Sequence, residues 1–146
     1  MTLRLFLSAR VLIAAASLAT CLGAGAQSAA AASAPVVTPS GLSIAMLREG
    51  AGPSPQASDR VKVHYRGTLV DGTEFDSSYR RGEPAAFALA RVIPCWTEGV
   101  QRMKVGGKAR LTCPSAIAYG ERGAGAVIPP NATLVFEVEL LEIVGR

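Results

Sequence analysis

One histidine, three cysteines and a small aromatic set of one tryptophan, three tyrosines and four phenylalanines in 146 residues leave little from which to assemble a conventional catalytic centre. The lone histidine, His64, excludes multi-histidine metal sites. No G-x-S-x-G, Walker A or C-x-x-C pattern occurs, which removes the nucleophile elbow, the phosphate-cradling loop and the dithiol redox site. A cysteine–histidine hydrolase would need Cys95 or Cys113 beside His64, but strand alternation turns His64 away from the apolar face and makes it a solvated residue. Clustered positive charge is also lacking. The net charge is +4, falls to about +2 once Arg4 and Arg10 are set aside with the N-terminal segment, and Arg80-Arg81 is the only adjacent basic pair. Nucleic-acid binding needs a phosphate-tracking cluster, so no nucleic-acid partner is expected.

A membrane-spanning run is missing too. The largely apolar residues 11–19 fall well short of the 18 or so that cross a bilayer. Preceded by Arg4 and Arg10 and followed by the small residues Ala24, Gly25 and Ala26, they form a secretory signal peptide pattern over residues 1–26. The chain is therefore expected to be exported, to the periplasm. Leu18-Ala19-Thr20-Cys21 resembles a lipoprotein box, although threonine before the cysteine fits it poorly, and acylation at Cys21 would add a membrane tether. Residues 27–39, rich in Ala, Ser and Pro, read as a linker. One domain occupies residues 40–146. In an oxidising compartment Cys95 and Cys113 form either a disulfide or two buried thiols, and sequence alone leaves the choice open.

What is present is alternation around one helix. In residues 92–107, Trp96, Val100 and Met103 make one apolar stripe, Pro94 suits the first turn, and Gly106 and Gly107 supply a stop. Glu98 and Arg102 are spaced for an i,i+4 pair. Around this helix, period-two patterns predict strands: Leu42, Ile44 and Met46; Val61, Val63, Tyr65, Gly67 and Leu69; Phe87 and Leu89; Ala109, Leu111 and Cys113; and Leu134, Phe136, Val138 and Leu140 within residues 133–143. Asp71-Gly72 signals a hairpin whose return strand starts at residues 73–75. Residues 77–83 read as a polar bulge or flap, and residues 116–131 as a long loop of the kind that carries function. The predicted class is α+β: a five- to six-stranded twisted antiparallel sheet wrapped around one short helix.

The aromatic and aliphatic residues concentrate beside loops. Periodicity alone makes most of the set Tyr65, Phe75, Phe87, Val92, Ile93, Trp96, Tyr119, Ile128 and Phe136 core, Phe136 above all. Ile93 and Ile128 stand apart, since each immediately precedes a proline where a loop joins an element and apolar residues line a mouth; with the polar atoms of Asp76 and Tyr119 beside them, they suit an apolar small-ligand pocket with a few polar groups.

Five motifs in order, V-H-Y-x-G-x-L at residues 63–69, D-G-T-x-F-D-S-S at 71–78, V-I-x-x-W-x-E-G-V at 92–100, A-Y-G at 118–120 and I-P-P-N-A-T-L-V-F-E-V-E-L-L at 128–141, resemble the FKBP-type peptidyl-prolyl cis-trans isomerases, the macrolide-binding immunophilins. The resemblance covers residues 41–144. It implies a substrate-binding set of Tyr65, Phe75, Asp76, Phe87, Val92, Ile93, Trp96, Tyr119, Ile128 and Phe136, with Trp96 as the floor under a proline ring and Val92 and Ile93 as the rim. It further implies that the Ile93 backbone N–H and the Tyr119 hydroxyl donate to ligand carbonyls and that Asp76, oriented by Arg81 or Tyr65, sits at the pocket edge; Asp76, Tyr119, Ile93 and Trp96 are thus the catalytic set. Ala85 replaces a frequent wall aromatic, Cys95 replaces the glycine common before the floor tryptophan, and Ala124 and Gly125 replace bulkier residues found in some relatives, so the resemblance fixes neither the strength of macrolide binding nor the sequence preference. Rotation about an X-Pro bond breaks no bond, so no metal or cofactor is expected. The implied partners are proline-containing polypeptide clients and macrolide inhibitors, and a monomer is expected. The competing reading is a proline-segment binding or chaperone module with little turnover.

Overall fold

The computed structural model describes residues 33–145. The signal peptide pattern, Cys21 and the first part of the linker stretch lie outside the described residues.

Alternation in the sequence is realised as seven strands: β1 (Val36–Val37), β2 (Ser43–Arg48), β3 (Arg60–Leu69), β4 (Glu74–Ser77), β5 (Ala85–Ala88), β6 (Lys108–Cys113) and β7 (Leu134–Val144). Two α-helices accompany them, α1 (Ser78–Arg81) and α2 (Pro94–Gln101). The strands form one antiparallel sheet in the order β1-β2-β6-β7-β3-β4, with β5 also on β3. On β3, Val61, Val63 and Tyr65 are buried while Lys62, His64 and Arg66 lie on the other face. On β7, Leu134, Phe136, Val138 and Leu140 point inward until the register shifts opposite Lys62 and Val63, after which Ile143 takes the inward place. That shift is a β-bulge, which re-aims every later side chain.

The sheet has more strands than the predicted five or six. Part of the excess is β1, whose Val36 and Val37 pair with Ile44 and Ser43. Thus the last residues of the stretch read as a linker join the sheet. A two-residue strand has no period to detect, but its turn is well defined: Thr38 N–H donates to the Leu42 carbonyl at 2.8 Å, and Gly41 turns at φ 89°.

Residues 77–83 are helical at their centre, not a bulge. Ser77 caps α1 by accepting from Arg80 N–H at 3.3 Å, and Gly82 closes it at φ 75°. Both are standard end signals compressed into one turn.

Helix α2 is shorter than its sequence pattern. It starts with Pro94 at the first helical position, without a side-chain cap, and ends at Gln101 because the Arg102 and Met103 N–H groups turn back to the Gly99 and Val100 carbonyls. Gly106 and Gly107 do not stop it; they serve the sheet, with Gly106 N–H on the Leu140 carbonyl and Leu140 N–H on the Gly107 carbonyl. The expected stripe survives, since Trp96, Val100 and Met103 are all buried, and Glu98 and Arg102 make the i,i+4 pair at 3.7 Å. Gly99 lets the helix approach β6 closely, for a Cβ there would lie 2.8 Å from Leu111. A disulfide joins Cys95 of α2 to Cys113 of β6, with Cα atoms 5.8 Å apart and both residues fully buried.

Candidate functional site

The concave face of the sheet and the start of α2 enclose a cavity of about 330 Å³. Strand alternation supplies Tyr65 from β3, Phe87 from β5 and Phe136 from β7. The 3-10 turn at Leu89–Arg91 and its exit bring Arg91, Val92 and Ile93 to the mouth, α2 contributes Trp96, and the long loop after β6 contributes Tyr119. Strand β4 contributes two consecutive residues, Phe75 and Asp76, which simple alternation would send to opposite faces. A register shift between Gly67 and Thr68 of β3 accounts for this: Gly67 pairs with Asp76 and Thr68 with Glu74, leaving Phe75 as the extra residue.

Trp96 lies at the bottom, 4% exposed, with the rings of Tyr65, Phe87 and Phe136 edge-on around it at centroid distances of 5.2, 5.4 and 5.4 Å. Phe75 stands edge-on to Phe136 at 5.6 Å. Each such contact contributes about 0.5–1.5 kcal/mol beyond burial, so the box is rigid. Among the described residues Trp96 Nε1 is buried without a hydrogen-bond partner, so the floor ring is held there by apolar contacts.

One wall is polar. The Tyr65 hydroxyl donates to Asp76 Oδ2, Arg81 Nη1 donates to Asp76 Oδ1 at 2.6 Å, and Arg81 Nη2 donates to the Tyr65 oxygen at 3.1 Å. Ser77 N–H completes the set on Asp76 Oδ1 at 2.9 Å. Asp76 is therefore oriented by both Tyr65 and Arg81. Burial alone would raise its pKa, but the hydrogen bonds from Tyr65 and Arg81 and the charge of Arg81 outweigh burial and hold it below the ordinary carboxylate value. Burial, reinforced by the hydrogen bond to Asp76, pushes the Tyr65 phenol up. Tyr119 is 40% exposed, and its hydroxyl makes no hydrogen bond among the described residues.

Nine of the ten residues predicted to bind substrate line this cavity. The exception is Ile128, which is buried in the core and whose backbone pairs with Ala124 to pinch the long loop. Placement before a proline marked a loop junction but not the direction of the side chain. Ala85 pairs with Val63 and contributes no wall. Arg91 lines the cavity without having been predicted, since a charged residue in a three-residue turn belongs to no apolar pattern; its position directly before the Val92-Ile93 rim was the available signal. His64 faces away from Tyr65 as expected but is not simply solvated. It is half-buried, stacked on Tyr79 at 4.7 Å, with Nδ1 2.9 Å from Ser78 Oγ.

Residues 52–141 match the family described as FKBP-type peptidyl-prolyl cis-trans isomerase. The chain belongs to this family. It is 59% identical over 106 residues to the FKBP-type 22 kDa peptidyl-prolyl cis-trans isomerase of Escherichia coli strain K12, covering 73% of this chain and 52% of that protein. It is 53% identical over 103 residues to FK506-binding protein 1 of Dictyostelium discoideum, covering 69% of this chain and 96% of the relative. The crystal structure of FkpA from Escherichia coli aligns with a TM-score of 0.74 at 49% identity, covering 78% of this chain and 53% of that one. The chain thus spans about half the length of these bacterial relatives, and what it shares with them is the FKBP domain.

Proposed function

We propose that this domain is a peptidyl-prolyl cis-trans isomerase that accelerates X-Pro rotation in exported polypeptides by a non-covalent, apolar-pocket mechanism. The observation that carries the reading is the aromatic box itself: Trp96 as a flat floor inside edge-on Tyr65, Phe87 and Phe136, sized for a small ring and opening beside fixed polar groups. The barrier to rotation is about 18–20 kcal/mol and comes from amide resonance. At the twisted transition state that resonance is lost and the carbonyl becomes less polar. An apolar box favours this state over the planar amide, while donors on flanking carbonyls hold the chain as the bond turns. Each tenfold gain in rate needs only about 1.4 kcal/mol of such preference.

In this reading the Tyr119 hydroxyl and the Ile93 backbone N–H are the donors, Trp96 supports the proline ring, and Asp76 shapes the polar wall without taking a proton. Export follows the signal peptide pattern of residues 1–26. The chain acts as a monomer, and macrolides that mimic proline segments compete for the same cavity.

A cis-trans assay on a proline tetrapeptide tests the activity. Saturable acceleration is expected. Binding of the peptide without acceleration would identify the domain as a proline-segment binding module instead.

A further inference from the structure

Of the residues lining the cavity, Asp76 and Arg91 carry the side-chain charges, and they are not equivalent. Asp76 is fully engaged by Tyr65, Arg81 and Ser77 N–H. Arg91 is exposed, ends the 3-10 turn at the mouth, and has no carboxylate partner among the described residues. Its situation differs from that of Arg48, Arg66, Arg80, Arg81, Arg102 and Arg110, each of which is paired with an Asp or Glu. With Asp76 neutralised by Arg81, the mouth is left with one uncompensated positive charge adjoining the Val92-Ile93 rim.

We infer that Arg91 is a specificity-determining residue that selects polypeptides carrying Asp or Glu next to the proline entering the cavity. A guanidinium offers a planar fork that fits a carboxylate through two parallel hydrogen bonds, and it repels a Lys or Arg at the same place. The inference rests on the isomerase reading only for the identity of the bond that turns; the charge selection concerns any proline segment held in this cavity.

The test uses two matched peptide series, with Glu, Gln or Lys placed before the proline in one and after it in the other. Isomerisation is measured as kcat/KM, and binding is followed independently through the fluorescence of Trp96, the sole tryptophan of the chain. At low ionic strength, Glu is expected to be preferred over Gln by about three- to fivefold in at least one series, the size typical of an exposed charge pair. That ratio should shrink towards one at about 0.5 M salt, where screening acts within a few ångströms. Arg91→Gln should remove the preference, Arg91→Lys should restore part of it, and Arg91→Glu should favour the Lys peptides. Equal handling of Glu and Gln in both series at low salt, or a Glu preference that persists in Arg91→Gln, overturns the inference. If no peptide is accelerated, the isomerase reading fails, and the binding ratios still decide the role of Arg91.

Discussion

Cys95 and Cys113 tie the first turn of α2 to the last residue of β6, one residue before Trp96 on one side and at the root of the loop bearing Tyr119 on the other. The bridge closes a sequence separation of 18 residues, and closing a loop of that size contributes about 3 kcal/mol by restricting the unfolded chain. Urea unfolding followed by Trp96 fluorescence should therefore show the protein about 2–4 kcal/mol less stable with reductant than without. Coincident curves would mean that the bridge contributes nothing to the stability of the fold.

Asp76 gives a prediction about pH and charge. Its folded pKa is lowered, so its ionised form stabilises the fold above the unfolded value, and this contribution is lost as pH falls through the lower folded one. Tyr65 is shifted upward and stays protonated at neutral pH. With neither group titrating near neutrality, isomerase activity should be flat between roughly pH 5.5 and 8 as far as this network is concerned. Asp76→Asn should lower kcat/KM by about three- to tenfold, or up to about 1.4 kcal/mol, because Asn keeps an acceptor but not the charge facing Arg81. Complete inactivation would show that the carboxylate handles a proton.

Gly67 is a matter of space, not of backbone conformation. A Cβ there would lie 2.6 Å from Phe75 Cζ and 2.9 Å from Phe136 Cε1. Gly67→Ala should force both rings to move, costing about 1–3 kcal/mol of stability, the usual range for overpacking. Activity should fall with it, since both rings are walls of the cavity. Unchanged unfolding and unchanged turnover would show that the rings have room the structure does not provide.

Ser78 substitutes for a missing strand. Its hydroxyl accepts from Tyr65 N–H at 2.8 Å and lies 3.3 Å from the Tyr65 carbonyl, where β3 has neither β4 nor β5 beside it. Ser78→Ala leaves that buried N–H unpaired, for a cost of about 1–3 kcal/mol. Amide exchange at Tyr65 measured by NMR should accelerate in the variant; unaltered exchange would mean that something else protects the group.

The parts of this fold that the sequence foretold are those written in long periods. Tyr65 on β3 follows from five residues alternating on one face, Phe136 on β7 from four, and the Trp96, Val100 and Met103 stripe from three residues at helical spacing. Features set by a single residue were harder to see. The helical turn α1 depends on Ser77 and Gly82, β1 on two valines, and the joint placement of Phe75 and Asp76 on a register shift that no hydrophobic pattern records. Arg91 reaches the mouth because of the path of a three-residue turn, and Ile128 turns into the core because its backbone pairs across its own loop. Both depend on tertiary geometry, to which residue type is a poor guide.

Strand β3 has β7 along the whole of one edge, while β4 and β5 divide the other, at residues 66–68 and 60–63. The two halves are thus registered independently, each by its own pairing, and the chain between them is tied back to β3 and β4 by the side chains of Ser78, Arg80 and Arg81. Gly82, with open space where a side chain would go, lies in that stretch, one residue after Arg81, which bonds the cavity residues Tyr65 and Asp76. Added length at this point would alter what surrounds an incoming polypeptide while leaving the sheet and the aromatic box in place.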